Sequence, residues 1–336
     1  MLQSAYSKLE NRYNRLGLLG EAGGILHWDS AAIMPAGAAK ARGEQIAELK
    51  AISHNLIIAP DTSDLIDAAS QQSDLNPWQQ SNLNLIRHHW TRATAIPEDL
   101  VVALSKACSE CETVWRDARA ENDFKKVLPY METVLELVKQ SGTAVAEKLN
   151  LSLYDALLDE FEPGARSAEI DPVFDDLNDW FPNFLDDVLA AQDARPAIQM
   201  PEGPFAIDVQ RELGIKFMDA LGFDFNYGRL DISLHPFCGG TPDDVRITTR
   251  YDEDDFTSAL MGVLHETGHA MYERGLPIDY RRQPVGNALG MSMHESQSLL
   301  VEMQVCRSPE FLEYAAPLAK TAFNGTGSAW DADNLY

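Results

Sequence analysis

Apolar residues recur at helical spacing along most of the chain, which predicts a mainly α-helical protein. The predicted helices are bounded by Asp, Ser, Asn, Pro or Gly, the residues that commonly begin or end helices. They cover residues 2–33, 40–54, 75–93, 98–121, 124–149, 171–190, 207–221 and 254–274. The first helix is expected to be interrupted near Gly20–Gly24 and to end at Pro35.

Two short segments alternate apolar and polar positions instead, which is typical of β-strands. They are residues 229–234 and 245–251, and Gly239–Asp243 between them has the composition of a turn. The pattern therefore predicts a small antiparallel sheet directly before the helix at 254–274. A Pro-rich break near 195–205 indicates a hinge within one domain, 1–336, with a helical part at 1–195 and a second part at 205–336.

Composition narrows the range of partners. The chain has 336 residues, 27 of them basic and 52 acidic, for a net charge of −25. Such a surface argues against nucleic acid or an anionic membrane as a partner. The first residues lack the basic flank and the apolar core segment of a signal peptide. No apolar run approaches the length of a membrane span. A cytoplasmic location is therefore expected.

Residues 265–269, His-Glu-Thr-Gly-His, carry the clearest chemical signal. A four-residue spacing on a helix stacks His265 and His269 on one face, where both imidazoles can bind one zinc ion. Glu266 lies between them and can take a proton from water activated by the metal. The motif falls within a predicted helix, as this chemistry requires.

A catalytic zinc site needs a third protein ligand. No histidine follows His269 at the six-residue spacing of the longer motif, so a carboxylate on the next helix is expected. Glu295 and Glu302 are the two candidates, and they lie two turns apart on the segment that begins after Gly290. The residues alone leave the choice between them nearly even.

Four motifs, in this order, resemble those of the thermostable carboxypeptidase Taq family of metallocarboxypeptidases. They are His235-Pro236-Phe237, Asp244-Val245-Arg246-Ile247-Thr248, His265–His269 and His294-Glu295-Ser296-Gln297. The resemblance extends along the whole chain. It implies a large helical peptidase fold, gluzincin-like, with the small sheet beside the zinc helix.

The same resemblance assigns roles to residues. It implies that Glu295 is the third metal ligand and that Glu302 orients a ligand. A group of further residues is implied to contact substrate or support the site: His235, Asp244, Arg246, Thr248 and His294. Zinc is the implied metal, with cobalt or another divalent ion as the alternative, and a homodimer is expected. The chain stops at Tyr336, before two motifs that family members carry, so the domain is expected to be incomplete at its C-terminus.

The implied function is hydrolysis of the C-terminal peptide bond of peptides, with broad specificity, by metal-activated water and Glu266 as general base. Two alternatives stay open. One is an oligopeptidase or endopeptidase of the same zinc class. The other is a truncated chain that binds metal with little activity.

Overall fold

The computed structural model describes residues 3–336, and helices dominate this part of the chain. Their bounds are α1 Ala5–Ala32, α2 Ala39–Ile57, α3 Thr62–Ser70, α4 Pro77–Ala93, α5 Glu98–Ala120, α6 Phe124–Leu149, α7 Leu153–Phe161, α8 Ser167–Asp193, α9 Ile207–Ala220, α10 Phe256–Gly275, α11 Met291–Leu299, α12 Pro309–Ala322 and α13 Ala332–Leu335. The predicted fold class is confirmed. Within residues 3–336, no helix combines the length and apolar character that crossing a membrane requires.

Local chemistry explains several helix ends. Asn76 and Gln79 form a capping box at the start of α4, and Pro77 occupies its first turn. Asn150 ends α6 in the left-handed conformation, with φ of 55°.

The predicted interruption of α1 near Gly20–Gly24 is wrong, because α1 is continuous through all these glycines. Gly24 faces the Gly240 carbonyl at a distance that leaves no room for a side chain, so its presence reflects packing.

The predicted small sheet before α10 is confirmed. It has three strands of mixed direction, whereas the alternation predicts two antiparallel ones: β1 Gly228–Ile232, β2 Phe237–Thr241 and β3 Asp244–Thr249, in the order β1-β3-β2. Residues 239–241, predicted as part of a turn, belong to β2. Their glycines lack the alternating side chains that identify a strand, so pairing with β3 defines β2.

The chain forms two compact units. The first contains residues up to Phe161 with Gly239–Arg246 and Glu273–Met291. A core of this unit joins α1, α3 and α4, and consists of Tyr6, Leu9, Tyr13, Leu16, Ile66, Ala69, Leu83 and Ile86.

The second unit contains Glu162–Cys238, Ile247–Tyr272 and Ser292–Tyr336. A core of this unit packs against one face of α10 and consists of Phe205, Leu213, Phe217, Phe256, Leu260, Leu264, Cys306, Ala315, Ala319 and Trp330. This core fixes one face of the helix that carries the histidine motif. The predicted division into parts 1–195 and 205–336 stays a prediction.

Candidate metal centre

Helix α10 begins at a capped end and places the two motif histidines on one face. The Asp255 carboxylate accepts the Thr257 N–H at 2.9 Å, which satisfies a donor of the first turn. One turn separates His265 from His269, and their ring centroids lie 4.9 Å apart. His269 is buried and His265 is half-buried, so both rings are held by packing.

Glu295, on α11, faces both rings. Its Oε1 lies 3.6 Å from Nε2 of His265, and its Oε2 lies 3.3 Å from Nε2 of His269. Ligand atoms of the three side chains all lie within 4.8 Å of one another. Two imidazole nitrogens and a carboxylate oxygen are a donor set typical of catalytic zinc, which leaves one position for water. The three residues therefore fit a divalent metal ion.

Glu302 lies on the opposite side of the His265 ring. Its Oε2 is 2.9 Å from Nδ1 of His265, while its other oxygen forms an ion pair with Arg307. A carboxylate that accepts the Nδ1 proton keeps Nε2 free for a metal and fixes the orientation of the ring. Glu302 is carried by a π-helical turn, Leu300–Val305, that follows α11. Such turns occur frequently at functional sites.

His294 makes the corresponding contact with the second histidine. Nδ1 of His294 lies 2.6 Å from Nδ1 of His269, so one ring donates and the other accepts. Tyr272 packs edge-on against His294 with centroids 5.3 Å apart. Burial, followed by the nearby His294 and His265, lowers the pKa of His269 to about 4. The neutral imidazole, which is the form that binds metals, is therefore favoured.

Glu266 lies beside these ligands and is itself buried, with 7% of its surface exposed. Burial raises its pKa to about 7; the neighbouring Glu295 also raises the pKa, while His265 and a hydrogen bond from the Cys238 N–H lower it. A carboxylate in such a place holds a proton more strongly than one in water.

The remaining predicted residues have varied surroundings. His235 is exposed. Arg246 binds Asp244 through two hydrogen bonds, of 3.0 and 2.6 Å, and its guanidinium lies 4.5 Å from the ring centroid of Trp28. Thr248 is fully buried. Contact of these residues with substrate stays a prediction.

Three features of the site have no clear signal in the sequence. The Cys238 N–H that reaches Glu266 is a main-chain group, which residue types do not reveal. Arg307 lies five positions after Glu302, whereas side chains that meet on an α-helix are three or four positions apart. Gly268 is read as a variable position of the motif, yet a Cβ atom there would lie 2.6 Å from the Gln297 carbonyl oxygen of α11.

Comparison with known proteins gives a consistent result. A sequence model described as carboxypeptidase Taq (M32) metallopeptidase matches residues 8–336. Thermostable carboxypeptidase 1 of Thermus thermophilus is 34% identical over 97% of this chain and 66% of its own length. Carboxypeptidase 1 of Bacillus subtilis is 33% identical over 88% of this chain and 59% of its own length.

A solved structure agrees with the sequence matches. Metallocarboxypeptidase 1 of Trypanosoma cruzi superposes with a TM-score of 0.89 at 37% identity, over 98% of this chain and 66% of that protein. The chain thus spans between 59% and 66% of the length of these three proteins.

Proposed function

The chain belongs to the carboxypeptidase Taq (M32) metallopeptidase family, and we propose that it catalyses metal-dependent hydrolysis of the C-terminal peptide bond of peptides. The observation that supports this most directly is the group of His265, His269 and Glu295, with a buried carboxylate beside it. We further propose zinc as the metal and broad specificity for the released residue.

In this proposal, different residues bind the metal, orient the ligands and transfer the proton. A divalent metal at this site, when bound, supplies Lewis-acid polarisation of a carbonyl and makes water more acidic. His265, His269 and Glu295 hold it, and Glu302 and His294 fix the two imidazole rings. Glu266 accepts a proton from the attacking water and returns it to the leaving amine. Its burial keeps bulk water from competing for the carboxylate.

The test is the substitution Glu266→Gln, which keeps the shape of the side chain and removes its basicity. We expect the metal content to stay unchanged and peptide hydrolysis to fall by about 10²–10⁴-fold, the usual contribution of a general base. Glu313→Gln is the matched control, since Glu313 is an exposed glutamate on α12. Product analysis of the wild type then identifies the reaction, because a carboxypeptidase releases single C-terminal residues.

Two results would contradict this proposal. Internal fragments from blocked peptides would indicate an endopeptidase or oligopeptidase instead. A metal-loaded wild-type chain with no hydrolysis of any peptide would indicate a metal-binding chain without turnover.

A further inference from the structure

The general base is anchored by a main-chain group of the neighbouring sheet. The Cys238 N–H donates to the carboxylate of Glu266. Cys238 is the second residue of β2 and directly follows Phe237. The position of the Glu266 carboxylate therefore depends on where the first residues of β2 are held.

Two buried hydroxyl groups hold that segment. Thr248, on β3, has no exposed surface, and Ser233, after β1, is 8% exposed. The Phe237 N–H donates to Oγ1 of Thr248 at 3.1 Å, and the two hydroxyl oxygens lie 2.7 Å apart. Oγ of Ser233 donates to the His235 carbonyl at 2.6 Å. The segment from His235 to Phe237 is thus attached at both ends.

These bonds form a closed set. The Ser233 hydroxyl donates to the His235 carbonyl and can accept a hydrogen bond from the Thr248 hydroxyl. The Thr248 hydroxyl in turn accepts from the Phe237 N–H. Each of the two hydroxyl groups therefore has both a donor and an acceptor as partner. A buried strand position is filled at least as well by valine, which has the same shape and a higher strand preference. The hydroxyl of Thr248 therefore has its use in these bonds and not in filling space.

We propose that Thr248 is a positioning residue, whose hydroxyl holds Phe237 so that the adjacent Cys238 N–H keeps the Glu266 carboxylate aimed at the reacting water. This inference rests on the proposed role of Glu266 as the base. Misplacement of a reacting group by about 1 Å costs on the order of 10²-fold in rate. A small displacement of Cys238 is therefore expected to reduce turnover without changing the metal ligands.

The experiment compares Thr248→Val with Thr248→Ser and with Thr249→Val. Thr249 is the matched control, because it is the next residue of β3, is equally buried, and its hydroxyl makes only a 3.4 Å contact with the Ala259 carbonyl. For Thr248→Val we expect kcat to fall about 10- to 100-fold with KM within about twofold. Thr248→Ser restores most of kcat, and Thr249→Val leaves it unchanged.

A second measurement does not depend on activity. Amide hydrogen exchange, read by NMR, should accelerate about 10-fold at Phe237 and Cys238 in Thr248→Val, as expected for one lost hydrogen bond. Zinc affinity should not change. If Thr248→Val does not fold, Ser233→Ala weakens the same attachment and should accelerate exchange at the same two amides.

The outcomes separate the two proposals. Unchanged exchange at Phe237 and Cys238 in a folded Thr248→Val protein overturns the positioning role, whether or not the wild type hydrolyses peptides. Equal loss of kcat in Thr248→Val and Thr249→Val overturns it too, because both then reflect general disturbance of β3. Loss of activity in the wild type, with the exchange result as expected, contradicts only the proposed function.

Discussion

Gly268 occupies the fourth position of the histidine motif, and we predict that Gly268→Ala disrupts the metal site. A Cβ atom at this position would lie 2.6 Å from the carbonyl oxygen of Gln297 and 2.7 Å from Cα of Ser298. Both are backbone atoms of α11, which cannot rotate away as a side chain can. Relief of the clash therefore requires that α10 and α11 move apart.

The required movement is large on the scale of metal coordination. An ordinary contact needs at least 3.4 Å, so the two helices must separate locally by about 0.8 Å, whereas ligand distances tolerate about 0.2 Å. Glu295 lies on α11 only two residues before Gln297, and it moves with that helix. We expect zinc affinity to fall by roughly 10- to 100-fold or more, the loss seen when support of a ligand is removed. Overpacking should also lower the free energy of unfolding by about 1–3 kcal/mol.

The assay measures zinc affinity by competition with a chromogenic chelator, together with urea unfolding of the metal-free chain. Gly262→Ala is the matched control on the same helix, since a Cβ there meets its nearest atoms at 3.7 and 3.9 Å. It should leave zinc affinity unchanged, and the higher helix preference of alanine contributes about 0.5–1 kcal/mol. Wild-type zinc affinity in Gly268→Ala would refute the reasoning. An equal loss in both variants would also refute it, because the effect would then not come from the contact with α11.

Two other substitutions test the supports of the site and of the first unit. Glu302→Gln should weaken zinc binding about 10- to 100-fold without unfolding the chain, because His265 loses a charged partner at Nδ1. Zinc affinity is measured by chelator competition. An unchanged affinity would show that Glu302 does not hold the His265 ring. Asn82 is fully buried; its amide donates to Gln283 at 3.1 Å and accepts from the Val285 N–H at 3.2 Å. Asn82→Ala should therefore lower the free energy of unfolding, measured in urea, by about 1–3 kcal/mol. A decrease below about 0.5 kcal/mol would contradict this prediction.

The sequence predicts best those features that depend on local spacing. The periodicity of residues 254–274 identifies α10 to within two residues at its start and one at its end, because a buried helix repeats its apolar positions. It does not identify β2, because the glycines of this strand leave no alternation of side chains to read. Helix α7, Leu153–Phe161, is also missed, because its nine residues span only about two and a half helical turns.

The two candidate ligands show where spacing stops being informative. Glu295 and Glu302 are seven residues apart, close to two helical turns, so any helical pattern places both on nearly the same face. Their positions differ in the nitrogen of His265 that each faces: Glu295 lies 3.6 Å from Nε2, and Glu302 lies 2.9 Å from Nδ1. Which nitrogen faces which helix depends on the orientation of one imidazole ring, and that orientation is set by packing. The sequence can therefore predict that both carboxylates reach the site, but which nitrogen of His265 each one faces follows only from three-dimensional geometry.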